Sequence, residues 1–153
     1  MSPENRKYAL DTNLFIEGLR NPAANDELIR FHTAFAPFEY LSAIVGQELR
    51  AGAVGARDHR LVESILEPFV RRRRVITPTF QAWQSSGDIL RGLAAPEGAH
   101  AGRMTKAFGN DVLLALSCRE AGVILVTGNR RDFARIRRLV PFDFVGAWPV
   151  PEA

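Results

Sequence analysis

Four carboxylates, Asp11, Glu48, Asp111 and Asp132, stand in chain order at positions from which chemistry can be done. Asp11 follows the run Tyr8-Ala9-Leu10, which reads as a buried strand ending in an acid and then a turn. In an open parallel sheet, ligands sit outside the carboxyl ends of the strands. Asp132 lies just beyond a second apolar run, Val123 to Val126, in company with Thr127 and Asn129. Clustered carboxylates desolvate and repel one another, which raises their pKa values, and a divalent cation relieves that cost. Hard cations such as Mg²⁺ and Mn²⁺ take oxygen ligands, commonly a few carboxylates with waters and phosphate oxygens. Such a site activates water and supports displacement at a phosphodiester. Arginines beside it would hold a polyanion.

Each acid also has a purely structural reading. Asp11 is a favourable N-cap for a helix beginning near Leu14. Glu48 could pair at the surface with Arg50 or Arg57. Asp111 could be a first-turn acid favoured by the helix macrodipole. Asn129 and Asp132, three apart at a helix start, resemble an N-cap with its reciprocal acid. Spacing alone leaves both readings open.

The elements that must position these groups alternate between strand and helix. Strands are expected near residues 7–10, 38–41, 74–77, 123–126 and 140–145, the last at an edge because it contains Pro141. Between them, Asn21-Pro22 breaks the chain and a short helix runs from Asp26 to Phe31. Ser42 caps a helix to about Arg50, and a longer helix spans Arg57 to Arg71 with Pro68 disturbing its last turn. Thr79 could cap a further helix, on which Phe80, Trp83, Gly87, Leu90 and Ala94 fall on one face, so Trp83 reads as core. Ala95 to Gly102 is the most loop-like stretch. Asn110-Asp111 opens an apolar helix that Gly122 ends, and a basic helix runs from Arg130 to Arg138. The alternation implies one α/β domain over residues 1–153, with helices on both faces of a parallel sheet.

Composition sets the remaining bounds. Hydrophobic residues make up 46% and charged residues 24% of the 153, which suits a globular chain with a real core. No apolar run reaches the roughly 20 residues of a membrane span, and the first residues lack a signal-peptide core. The single Cys118 forms no internal disulfide and sits in an apolar helix, which fits an inert thiol in a reducing cytoplasm. Three histidines and one cysteine supply no zinc-type spacing, and His32, His59 and His100 read as surface residues. The net charge of +3 mildly favours an anionic partner, with arginines concentrated at 71–74 and 130–138.

Taken in order, Leu10-Asp11-Thr12-Asn13, Gly46-Gln47-Glu48-Leu49-Arg50-Ala51-Gly52, Asn110-Asp111-Val112-Leu113-Leu114-Ala115 and Val126-Thr127-Gly128-Asn129-Arg130-Arg131-Asp132-Phe133 resemble the PIN-domain ribonucleases. More narrowly, they resemble the VapC toxins of bacterial type II toxin–antitoxin pairs, from about Tyr8 to Val145. The resemblance implies a three-layer α/β/α sandwich around a mostly parallel sheet of four to five strands. It implies Mg²⁺- or Mn²⁺-dependent cleavage of RNA, an antitoxin protein partner and a homodimer. It assigns metal binding and catalysis to Asp11, Glu48 and Asp111. At the fourth position an asparagine, Asn129, stands where many members have an acid, and Asp132 would supply the charge. Thr127 matches a supporting position, Thr12 and Asn13 are supporting or turn residues, and Arg130 and Arg131 are expected to meet substrate. Phe15, Phe35 and Phe38 are the expected exposed apolar residues for an interface.

Two rivals differ in class. One is a PIN-like module that binds RNA or protein without cutting. The other is a phosphatase with Asp11 as nucleophile, although Asn13 stands where that chemistry wants a second acid and no later lysine and acidic pair follows Thr127.

Overall fold

The computed structural model describes residues 6–94 and 105–149. Five strands form one parallel sheet in the order β3-β2-β1-β4-β5, with β1 at Lys7–Leu10, β2 at Glu39–Ser42, β3 at Val75–Ile76, β4 at Val123–Thr127 and β5 at Phe144–Gly146. Seven α-helices are described: α1 (Thr12–Arg20), α2 (Pro22–Phe35), α3 (Ala43–Gly52), α4 (Gly55–Arg71), α5 (Phe80–Ala94), α6 (Lys106–Ala121) and α7 (Arg130–Arg137). The chain moves outward from β1 through β2 to β3, then returns to the other side of β1 for β4 and β5. The order therefore reverses between β1 and β4, and such a switch point opens a crevice at the carboxyl ends of the two strands.

The centre of the sheet is the driest part. Ala9, Leu10, Leu125 and Val126 are buried, as a strand covered on both faces requires. α6 packs against β4, α3, α5 and α7. Its residues Val112 to Cys118 are all buried, so the helix is apolar around its circumference. Gly122 closes it in the left-handed conformation, at φ 65°, where a Cβ would be strained. Cys118 is fully buried, and that burial pushes its thiol up to about 12, with Asp11 adding to the shift. At the other side, α1 and α2 pack closely because Gly18 has no side chain: a Cβ there would lie 2.7 Å from Leu28 Cδ2.

Several elements differ from the sequence expectation. Pro22 starts α2 rather than breaking the chain. It sits at N1 behind the cap of Asn21, whose Oδ1 accepts from Ala23 N at 2.9 Å, where the missing amide proton costs nothing. Pro68 lies inside α4 without ending it. β5 begins only at Phe144, past Pro141. The expected loop at 95–102 lies outside the described residues, as does His100.

Two aromatic assignments are reversed. Phe15 and Phe35, expected at an interface, are buried in the core with Tyr8 and Phe31, and Phe38 is only half-exposed. Trp83, expected in the core, is 57% exposed and Phe80 is 75% exposed. The buried positions of α5 are Ala82 and Ser86. The larger aromatics suggested the wrong stripe because periodicity identifies a face by size and not by what lies opposite. His32 is also not a simple surface residue: its Nδ1 bonds Oε2 of the buried Glu39 at 2.6 Å.

Candidate active site

Asp11 is the first residue after β1. Its backbone N–H donates to the Val126 carbonyl at 2.9 Å, which fixes it against the end of β4. Its side chain caps α1, accepting from Thr12 N at 2.8 Å through Oδ1. The helix starts immediately at Thr12, two residues before the expected Leu14, with no intervening turn. The capping reading of Asp11 therefore holds, and it does not use up the residue. Oδ2 accepts a 2.7 Å hydrogen bond from the hydroxyl of Thr127, the last residue of β4.

Thr127 works in two directions, since its Oγ1 also accepts from Asn129 N at 2.9 Å. Asn129 in turn orients Asp132. Its Nδ2 donates to Asp132 Oδ2 at 2.9 Å, and its Oδ1 receives Asp132 N at 3.4 Å as the cap of α7. Asn129 is thus both the helix cap and the support of the acid one turn on. On the opposite wall, Glu48 makes no ion pair with Arg50 or Arg57 among the described residues. Arg50 pairs with Glu63 instead. Glu48 Oε1 accepts from the Thr12 hydroxyl at 2.9 Å.

Asp111 corrects one expectation. α6 begins at Lys106 under a cap from Thr105, whose Oγ1 accepts from Phe108 N at 3.1 Å. Asp111 therefore lies beyond the first turn of α6, and the macrodipole explanation for an acid there is lost. Asp11, Glu48, Asp111 and Asp132 all line one cleft of about 460 Å³, shared with Thr12, Asn13, Asn129, Phe108 and Arg135.

The electrostatics follow from that convergence. Asp111 is pushed up to about 7, first by burial and then by the charges of Asp11, Glu48 and Asp132. Asp11 is raised by burial, against the opposing hydrogen bonds from Thr127 and Thr12. Glu48 is raised chiefly by burial, with the Thr12 hydroxyl opposing and Asp11 adding to the rise. Three acids made reluctant to ionise by a shared site lack a counter-charge. An all-oxygen donor set of that kind suits a hard divalent cation. Among the described residues, no three carboxylate, histidine or cysteine side chains gather tightly enough to grip one ion directly. Mg²⁺ in proteins commonly rests on one or two carboxylates and keeps several waters, so the spread of these acids is compatible with a hydrated ion.

The arginines expected at the site are placed differently. Arg130 and Arg131 are exposed and do not line the cleft, and the Arg130 guanidinium lies against Gly146 at the end of β5. Arg135 does line it. Sequence reasoning passed over Arg135 as a cleft residue, and it read Thr12 as a supporting or turn residue without identifying its partner. Arg135 is three residues after Asp132 on one helix, a spacing that puts both on one face and was available as a signal. The bond from Thr12 to Glu48 joins residues 36 apart in sequence and left no local sign.

A parallel sheet whose switch point gathers four acids at the carboxyl ends of β1 and β4 defines a PIN-like α/β domain. Solved structures agree. The chain is similar to one in the crystal structure of DNA-bound VapBC from Salmonella typhimurium, at 25% identity and a TM-score of 0.63, covering 92% of this chain and 98% of that one. It is similar to one in VapBC2 from Rickettsia felis bound to a DNA fragment from their promoter, at 23% identity, TM-score 0.59, and coverage of 93% and 98%. It is also similar to one in FitAcB from Neisseria gonorrhoeae, at 19% identity, TM-score 0.65, and coverage of 94% and 99%. In fold, the chain is a PIN-like domain of the VapC type. No protein-family model and no curated protein matches it.

Proposed function

We propose that this protein is a metal-dependent endoribonuclease and the toxin of a toxin–antitoxin pair, working in the reducing cytoplasm. The observation that carries the reading is the cleft that Asp11, Glu48, Asp111 and Asp132 line together. Asp11, Asp111 and Glu48 would hold a Mg²⁺ or Mn²⁺ ion, and Asp132, steadied by Asn129, would hold a second ion or its water. The chemistry such a cation supplies is activation of water and neutralisation of charge on phosphoryl oxygens. The chain's own task is pre-organisation. Thr127 and Thr12 fix the carboxylates of Asp11 and Glu48, and Asn129 fixes Asp132, so the acids keep their positions against mutual repulsion.

An antitoxin fits a second feature. A groove of about 320 Å³ between α1, α3 and α4 is lined by Ile16, Leu19, Leu49 and Leu61 and leads to Glu48. Leu19 and Leu61 are 44% and 39% exposed, so an amphipathic segment would gain apolar burial there. A homodimer belongs to the same reading. Of its expected apolar residues, Phe15 and Phe35 are buried and Phe38 is half-exposed, and among the described residues Phe80 and Trp83 on α5 are the exposed aromatics left to serve it. Light scattering of the purified chain tests this, and a strict monomer at high concentration would exclude it.

The decisive test of the activity is incubation of single-stranded RNA with the protein and Mn²⁺, beside Asp11→Asn. Metal-dependent cleavage lost in a folded variant supports the reading; equal cleavage by both proteins sinks it. The alternative is a non-cutting PIN-like binding module. The lack of a tight three-ligand cradle among the described residues favours it. Failure of either ion to bind in a calorimetric titration would decide for it.

A further inference from the structure

Among the described residues, the acid cleft contains one cation. Arg135 is the only lysine or arginine that lines it among the described residues. Its guanidinium carbon stands 5.1 Å from the centre of the Phe108 ring, which also lines the cleft. A guanidinium over an aromatic face is held by the ring quadrupole and keeps its N–H groups free at the edge. Arg135 makes no ion pair with Asp11, Glu48, Asp111 or Asp132, since the ion pairs among the described residues lie elsewhere. The acids are instead held by hydroxyl and amide donors. A cation that lines an acidic cleft without pairing with it, and is propped on a ring, has its bonding capacity left for a ligand.

We infer that Arg135 is the phosphate-holding residue of this cleft, gripping a phosphodiester of a single-stranded nucleic acid beside the acids while Phe108 fixes its guanidinium. This rests on the ribonuclease reading and deepens it. Planar guanidinium donors match phosphate oxygens two at a time. Arg130 and Arg131, off the cleft, would contribute only diffuse attraction.

The test is binding, read by fluorescence anisotropy of a labelled RNA oligonucleotide over a KCl series, with Ca²⁺ present and Asp11→Asn as the common background. Loss of one phosphate contact on a single strand lowers the slope of log K against log salt by about 0.7. Loss of a charge-assisted bond weakens binding about tenfold. Arg135→Ala is expected to do both, Arg135→Lys to keep the slope, and Arg131→Ala to change affinity far less. A role confined to packing on Phe108 would leave the salt slope untouched, and circular dichroism checks that each variant is folded. The inference is overturned if Arg135→Ala leaves slope and affinity unchanged, or if Arg131→Ala matches its loss. Wild-type cleavage with a silent Arg135→Ala removes this inference alone, whereas a wild-type chain that binds no RNA removes both it and the ribonuclease reading.

Discussion

The hydroxyl of Thr127 donates to Asp11 Oδ2 at 2.7 Å, joining residues 116 apart in sequence across the ends of two adjacent parallel strands. That bond ties the switch point of the sheet to the first acid of the site. Thr127 is fully buried, and its oxygen also receives the Asn129 amide. One hydroxyl thus holds Asp11 directly and Asp132 through Asn129.

Thr127→Val is therefore expected to cost about 1–3 kcal/mol, because it leaves a part-buried N–H and a buried carboxylate oxygen without partners. Cleavage should fall with it. Thr127→Ser keeps the hydroxyl and should recover most of both. Urea denaturation and RNA cleavage, measured side by side, check this; a Val variant as stable and active as wild type would contradict it.

Asp11→Asn should remove cleavage by at least about 100-fold, the lower range for a group in the reacting machinery. It should leave stability within about 1 kcal/mol, since the amide oxygen can still cap α1 and the removed charge relieves the cluster. Thermal unfolding without added metal separates the two effects. A variant that simply fails to fold would count against the second half.

The acids also set a pH dependence. Asp111 titrates near 7 when folded against an ordinary value of 3.8. The folded state therefore binds more protons than the unfolded chain between those values. Without metal, this group's contribution favours folding at low pH and is lost as pH rises from about 4 through about 7. Asp11 and Glu48 are raised too and act in the same direction. Saturating Mg²⁺ or Mn²⁺ should stabilise the fold by mass action, and more at pH 8 than at pH 5, because the ligands must be deprotonated. Melting temperatures at the two pH values, with and without Mn²⁺, give the answer; a metal-induced rise independent of pH would argue against these acids as ligands.

Phe15 and Trp83 should respond oppositely to truncation. Phe15 is fully buried, so Phe15→Ala should cost about 3–5 kcal/mol. Trp83 is mostly exposed, so Trp83→Ala should change monomer stability by no more than about 0.5 kcal/mol. Chemical denaturation of both variants decides whether α5 faces outward on its tryptophan side.

Much of this molecule was legible without coordinates. The β-branched run at 123–126, the stop at Gly122 and the cap at Ser42 are local events, decided by residues within a few positions of one another, and each stands where expected. The strand–helix alternation likewise dictated a parallel sheet. The four acids could be named in order. That they share a site was implied by the family resemblance and not by their spacing, and the particular donors that hold Asp11, Glu48 and Asp132 could not be read. Those bonds join Thr127 to Asp11 and Thr12 to Glu48 over long stretches of chain, and only the sheet order brings the partners together.

The sequence by itself determined the elements, their alternation and the identity of the acids, because propensity, capping and periodicity act through neighbours along the chain. Tertiary structure alone decided which face of each helix is covered and which groups meet. It buried Phe15 and exposed Trp83, moved Asp111 off the helix start, and put Arg135 rather than Arg130 or Arg131 beside the acids. The physical reason is the same in each case. Burial and electrostatic partnership depend on what packs opposite a residue, and the residue opposite comes from a distant part of the chain.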